Sequence, residues 1–157
     1  MSSTFSSLRY RNARLFFLGL LVSNVGTWIQ LTAMGLLVYR LSGRALDVGI
    51  SAALQWLPML VGGAWAGAFA DRRSKYRLAL VTQSALAVQA LVTAALDLSG
   101  VINLPIAYVI SFVLGVVNAL DNPARRGFVT ELVAPDEISN VVSLNTAVMT
   151  GSRIFGP

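Results

Sequence analysis

Four long stretches of this chain carry no formal charge at all: residues 15–39, 48–70, 78–96 and 101–120. A fifth begins near residue 138 and runs to 157, broken only by Arg153. At about 1.5 Å per residue, a helix of such length crosses the roughly 30 Å hydrocarbon layer of a bilayer. Buried strands of a soluble sheet run to only about 4–8 residues, so length alone assigns these stretches to helices. In hydrocarbon an unpaired backbone amide has no water to turn to, and a helix satisfies its amides internally. The expected fold class is therefore all-α, a polytopic membrane helix bundle of about four and a half transmembrane helices, in a single domain spanning 1–157.

Composition agrees. The chain has 157 residues, 55% hydrophobic and 12% charged, with a mean hydropathy of +0.68. Soluble domains carry about 25% charged residues, so too few charges remain here to coat a globule. The net charge of +5 would suit nucleic acid, but the charges sit in short clusters between apolar runs, and no nucleic-acid partner is expected. With no Cys and no His, thiolate and imidazole metal sites are both excluded, as is the usual proton switch near neutral pH. No cofactor, metal or enzymatic nucleophile–base pair is expected.

The cations orient the bundle. Arg9, Arg11 and Arg14 precede the first span; Arg72, Arg73, Lys75 and Arg77 separate the second and third; Arg125 and Arg126 follow the fourth. Only Arg40 and Arg44 lie on the other side. The positive-inside rule then puts the N-terminus in the cytoplasm. The first apolar run is too long for a signal h-region and lacks a small-x-small cleavage site, so it reads as a span. Connections are short except 121–137, where Pro135, Asp136 and Glu137 have the composition of a helix start.

Within the spans, Asn24, Thr27 and Gln30 recur every three residues near one helix face, and Gln55, Gln83, Gln89, Asn145, Thr146 and Thr150 follow on later spans. Such groups either bond helix to helix or line a polar cavity that receives a small-molecule substrate. Arg153 lies past the midplane of its span and is expected to face the bundle interior. Gly63 and Gly67 form a GxxxG pair, with Gly62 and Ala66 beside it, which allows close helix approach; Pro58 removes a backbone donor and is expected to kink its span.

Gly67-x-x-x-Asp71-Arg72, followed by Ser74, Lys75 and Arg77, resembles the loop signature G-x-x-x-D-R-x-G-R-R between the second and third spans of the major facilitator superfamily. Ser74 stands where that signature has a glycine, a residue that supplies positive φ cheaply. Residues 23–43, SNVGTWIQLTAMGLLVYRLSG, resemble the first span of that superfamily's drug- and siderophore-exporter branch, the group containing enterobactin exporters. Residues 121–133, DNPARRGFVTELV, are similar to the same branch's loop after the fourth span. Ser152-x-x-x-Gly156-Pro157 is similar to the antiporter signature of the fifth span.

The resemblance implies a proton-coupled exporter of small amphipathic compounds in a bacterial plasma (inner) membrane, working by alternating access between two six-helix halves. It assigns Asp71 and Arg72 to holding helix ends together on the cytoplasmic face, with Asp121 as a partner for Arg72. It also implies that this chain is an N-terminal piece whose partner is a missing C-terminal half. The alternatives are a small membrane assembly protein acting through its glycine faces, or a non-functional truncated remnant.

Overall fold

The structure, a computed structural model, describes residues 11–131, together with 143, 146, 147, 150 and 151. Four helices follow one another: α1 (Arg11–Ser42), α2 (Ala45–Asp71), α3 (Lys75–Leu98) and α4 (Leu104–Glu131). Each is long and apolar enough to cross a membrane, and no strand occurs among the described residues. Of the fifth apolar segment only Ser143, Thr146, Ala147, Thr150 and Gly151 are described, all helical. Asn145, Ser152, Arg153, Gly156, Pro157 and the Pro135–Asp136–Glu137 helix start lie outside the described residues.

Each helix outruns its charge-free core. α3 begins at Lys75 and ends at Leu98, taking in charges at both ends. The largest departure is at α4. The residues from Asp121 to Glu131, expected to form a connection, continue the helix, with Pro123 inside it. Proline removes one backbone donor and crowds the preceding turn, normally at a cost of about 3 kcal/mol. Tertiary contacts override it here. Asp121 and Ala124 on either side are fully buried, and Asn122 Nδ2 donates to the Asn118 carbonyl at 2.9 Å. Pro58 is likewise carried inside α2, which continues as one helix to Asp71.

The fold comprises two compact units, Met1–Thr32 with Gly127–Pro157, and Ala33–Arg126. The second holds the end of α1, all of α2 and α3, and most of α4. Its helices alternate in direction, so α2 and α4 run parallel. At one end Gly43 and Gly100 adopt the left-handed φ values of 67° and 69° that close a helix with a tight reversal. Gly43 N–H returns to the Tyr39 carbonyl at 2.7 Å, and Gly100 N–H to the Asp97 carbonyl at 3.1 Å. Asn103 then caps α4, its Oδ1 accepting from Ile106 N–H at 3.0 Å. At this end Met34, Leu37, Ile102 and Ile110 form a buried core, with Leu41, Leu96 and Ile106 packed against it. An ion pair between Arg40 and Asp97 ties α1 to α3 above it.

The outer surface is apolar. Leu60, Val61 and Trp65 on α2 are 81%, 74% and 82% exposed. In water so much exposed hydrocarbon would be a liability; facing lipid it costs nothing. For the same reason apolar burial cannot drive these helices together, and small residues and polar contacts must hold them.

Candidate functional site: a buried carboxylate and a polar seam

Asp121 has no exposed surface. Thr82 and Gln83, two turns into α3, both reach its Oδ1: the Thr82 hydroxyl at 2.6 Å and Gln83 Nε2 at 2.9 Å. Thr82 Oγ1 also lies 3.0 Å from the Leu78 carbonyl and 3.1 Å from that of Ala79. A hydroxyl has one hydrogen, and the shortest, charge-assisted contact takes it, so Thr82 donates to the carboxylate. Oδ2 forms a 2.5 Å ion pair with Arg125 Nε, one turn on along α4. Arg125 is itself largely buried, and its Nη1 has no hydrogen-bond partner among the described residues. A buried charge survives only when paired and hydrogen-bonded. The cluster meets that condition in part: Asp121 Oδ1 accepts two hydrogen bonds, Oδ2 has the ion pair but no hydrogen bond among the described residues, and Arg125 is left one donor short.

A second set of polar contacts joins α2 to α4. Tyr108 Oη donates to Asp47 Oδ1 at 2.8 Å, and Asp47 is 6% exposed. One turn on, Ser51 and Ser111 meet at 2.7 Å. The Ser111 hydroxyl is 2.8 Å from the Ala107 carbonyl, so Ser111 donates there and Ser51 donates to Ser111. Another turn on, Gly115 lies against the Gln55 backbone; a Cβ at residue 115 would fall 2.3 Å from the Gln55 carbonyl oxygen. The seam is a ladder of small and hydroxyl side chains, the contact that polar-poor membrane helices can use.

The loop residues stand apart. Asp71, Arg72, Arg73 and Arg77 are exposed and Lys75 is half-buried. Among the described residues neither the Asp71 nor the Arg72 side chain has a hydrogen bond or ion pair, and Asp121 meets Thr82, Gln83 and Arg125 rather than Arg72. Ser74 holds φ −61° and ψ 113°, open to any residue, so this turn makes no use of the positive φ that glycine would supply. On α1, Asn24 is buried with Nδ2 lacking a partner among the described residues, whereas Thr27 donates back to the Ser23 carbonyl at 2.9 Å. Gln30 and Gln55 are half-buried, and Gln89 bonds within its own helix to Thr93 at 3.2 Å. Gly63 and Gly67 meet no described neighbour within 4 Å of an added Cβ, so the close helix contact lies at Gly115 instead.

The profile of the transmembrane secretion effector family, a group of major facilitator transporters, matches residues 2–157. The chain belongs to that family. Two curated relatives agree with a major facilitator transporter. The staphyloferrin A transporter of Staphylococcus aureus is 25% identical over 146 residues, covering 92% of this chain and 36% of that protein. The uncharacterized MFS-type transporter YfiS of Bacillus subtilis is 27% identical over 137 residues, covering 87% of this chain and 32% of its own length. The chain thus spans about a third of the length of these relatives. No solved structure matches it significantly.

Sequence reasoning missed the α2–α4 seam, although Ser111-x-x-x-Gly115 is a small-xxx-small pair of the kind it noted on α2. It placed Asp121 at a helix end; the continuation of α4 through Pro123 puts that carboxylate inside the helix, buried against α3.

Proposed function

We propose that this chain is the N-terminal part of a proton-coupled secondary transporter that exports small amphipathic compounds, of the drug or siderophore class, by alternating access. The observation that carries the reading is Asp121, a fully buried carboxylate joining α3 to α4 about two turns from the basic loop, in a chain of the secretion effector family. Alternating access requires an element with two arrangements, and we assign that role to this buried acid. In this structure it engages Thr82, Gln83 and Arg125; in the alternate state it exchanges to Arg72, which has no ion pair among the described residues. The cluster of cations around the loop supports an N-terminus in the cytoplasm of a bacterial plasma membrane. From the sequence, Asn24, Thr27, Gln30, Gln55, Asn145 and Arg153 are our candidates for contacting the cargo, and Asn24 Nδ2 has no partner among the described residues. The relative named for staphyloferrin A supports a small-molecule cargo.

The test is accumulation of a dye and siderophore panel in cells carrying the full-length gene. At least one compound should accumulate less, and a protonophore should abolish the difference; unchanged accumulation across the panel would overturn the reading. The 157-residue chain alone, in liposomes, should not transport, because the cargo site needs a second repeat.

A second reading has its own support. The space beside Gly62, Gly63 and Gly67 is open among the described residues, as the face of a membrane assembly protein would be before its partner docks. Stoichiometric co-purification of another membrane protein, with no compound exported, would favour it.

A further inference from the structure

Beyond Gln55 and Gly115 the parallel helices α2 and α4 part and leave an apolar groove of about 640 Å³. Leu57, Val61 and Trp65 form one wall, Phe112 and Val116 the other, and Phe69 stands at its end. We infer that this groove seats one acyl chain of an anionic membrane lipid, whose headgroup phosphate rests on Arg73.

Three observations carry the assignment. The first is medium and lining: both helices are apolar enough to span a bilayer, and what fills an apolar groove on such a surface is hydrocarbon. The second is length. From Leu57 to Phe69 the helix rises about 18 Å at 1.5 Å per residue, close to one leaflet of a roughly 30 Å hydrocarbon core. The third is charge. The Arg73 guanidinium lies over the ring of Phe69 at 5.5 Å, so the groove ends at a cation that its own lining residue positions. Arg72, Arg73 and Arg77 are exposed there, Lys75 is half-buried, and Asp71 is the one acid in the turn. A chain in the groove therefore delivers its phosphate to a positive surface at headgroup depth. The inference stands on the groove and the turn, and not on what is exported.

Native mass spectrometry of the full-length gene product, released from nanodiscs into mild detergent, tests it. From phosphatidylglycerol discs the protein should retain one lipid; from phosphatidylcholine discs it should retain none. Arg73→Gln should lower retention about fivefold, the share of one arginine at an anionic surface. Gly62 lines the groove, and a side chain there meets no described atom within 4 Å of its Cβ. Gly62→Leu should therefore fold, fill the groove and abolish retention while leaving every cation in place. Equal retention of both lipids, or retention that survives Gly62→Leu, overturns the site. So does a parent protein that keeps no lipid, or one that emerges as a dimer with the groove closed by a second copy.

Discussion

The Thr82 hydroxyl on α3 lies 2.6 Å from the carboxylate of Asp121 on α4, and no part of Asp121 is exposed. Removing a hydrogen bond to a charged group costs about 1.5–3 kcal/mol, and the penalty is largest when the charge cannot reach solvent. Thr82→Val keeps the shape and deletes the donor. It should destabilise the protein by about 2 kcal/mol in reversible unfolding from detergent. Asp121→Ala should cost more, about 3–5 kcal/mol, because it leaves the Arg125 guanidinium buried and unpaired. If Asp121→Ala melts with the parent, the cluster does not hold the helices.

Gly115 should tolerate no side chain. Its Cβ would overlap the Gln55 carbonyl, which is backbone and cannot rotate away. Gly115→Ala must separate α2 from α4, breaking the Ser51–Ser111 contact as well, at about 1–3 kcal/mol or more. Gly63→Ala and Gly67→Ala meet no described neighbour and gain the helix preference of alanine over glycine. They should be neutral or stabilising. The three melting temperatures, compared side by side, decide where the close helix contact lies.

The Ser51–Ser111 bond is the middle of the seam, and its own worth should be small. Double-mutant cycles between polar pairs in membrane helices average about 0.6 kcal/mol, because the separated helices also find partners. Ser51→Ala, Ser111→Ala and the double variant should give a coupling of that order. A coupling near zero would leave Gly115 and the Asp47–Tyr108 contact to carry the α2–α4 association.

What could be read in the sequence follows from which physics is local. Charge-free length is a one-dimensional property, so the four helices of residues 11–131 were legible from their cores. The stretch from Asp121 reads as a connection because the charge-free run ends there, yet α4 continues through Pro123. By propensity proline ends a helix, but Asp121, bonded by Thr82 and Gln83 from about forty residues earlier, and the buried Ala124 hold α4 together around it. The same long-range contacts hid the buried carboxylate, since nothing within α4 says that α3 will offer two donors. Gly115 was legible in principle through its spacing from Ser111. Gly63 and Gly67 carried the more familiar pattern, but a glycine pair states only that close approach is possible, and which helix takes it is decided by the rest of the seam.

Asp71 closes the set. It is the last residue of α2, exposed, with no side-chain hydrogen bond or ion pair among the described residues. A carboxylate at a helix C-terminus faces the negative end of the dipole, an unfavourable place for it. Topology gives it no reason either, since acids contribute little to the positive-inside effect. On the proposed alternating-access reading, its value comes from a contact made in another conformation. Asp71→Asn removes the unfavourable charge, so unfolding of the full-length protein should be unchanged or slightly harder, while transport should fall to a small fraction of the parent rate. Arg126→Gln is the control, an exposed cation sharing its topological task with eight other Lys and Arg on the same side, and it should insert and transport like the parent. The separation of stability from transport is the diagnostic: a variant that loses both is misfolded, and one that loses neither makes Asp71 an ordinary surface acid.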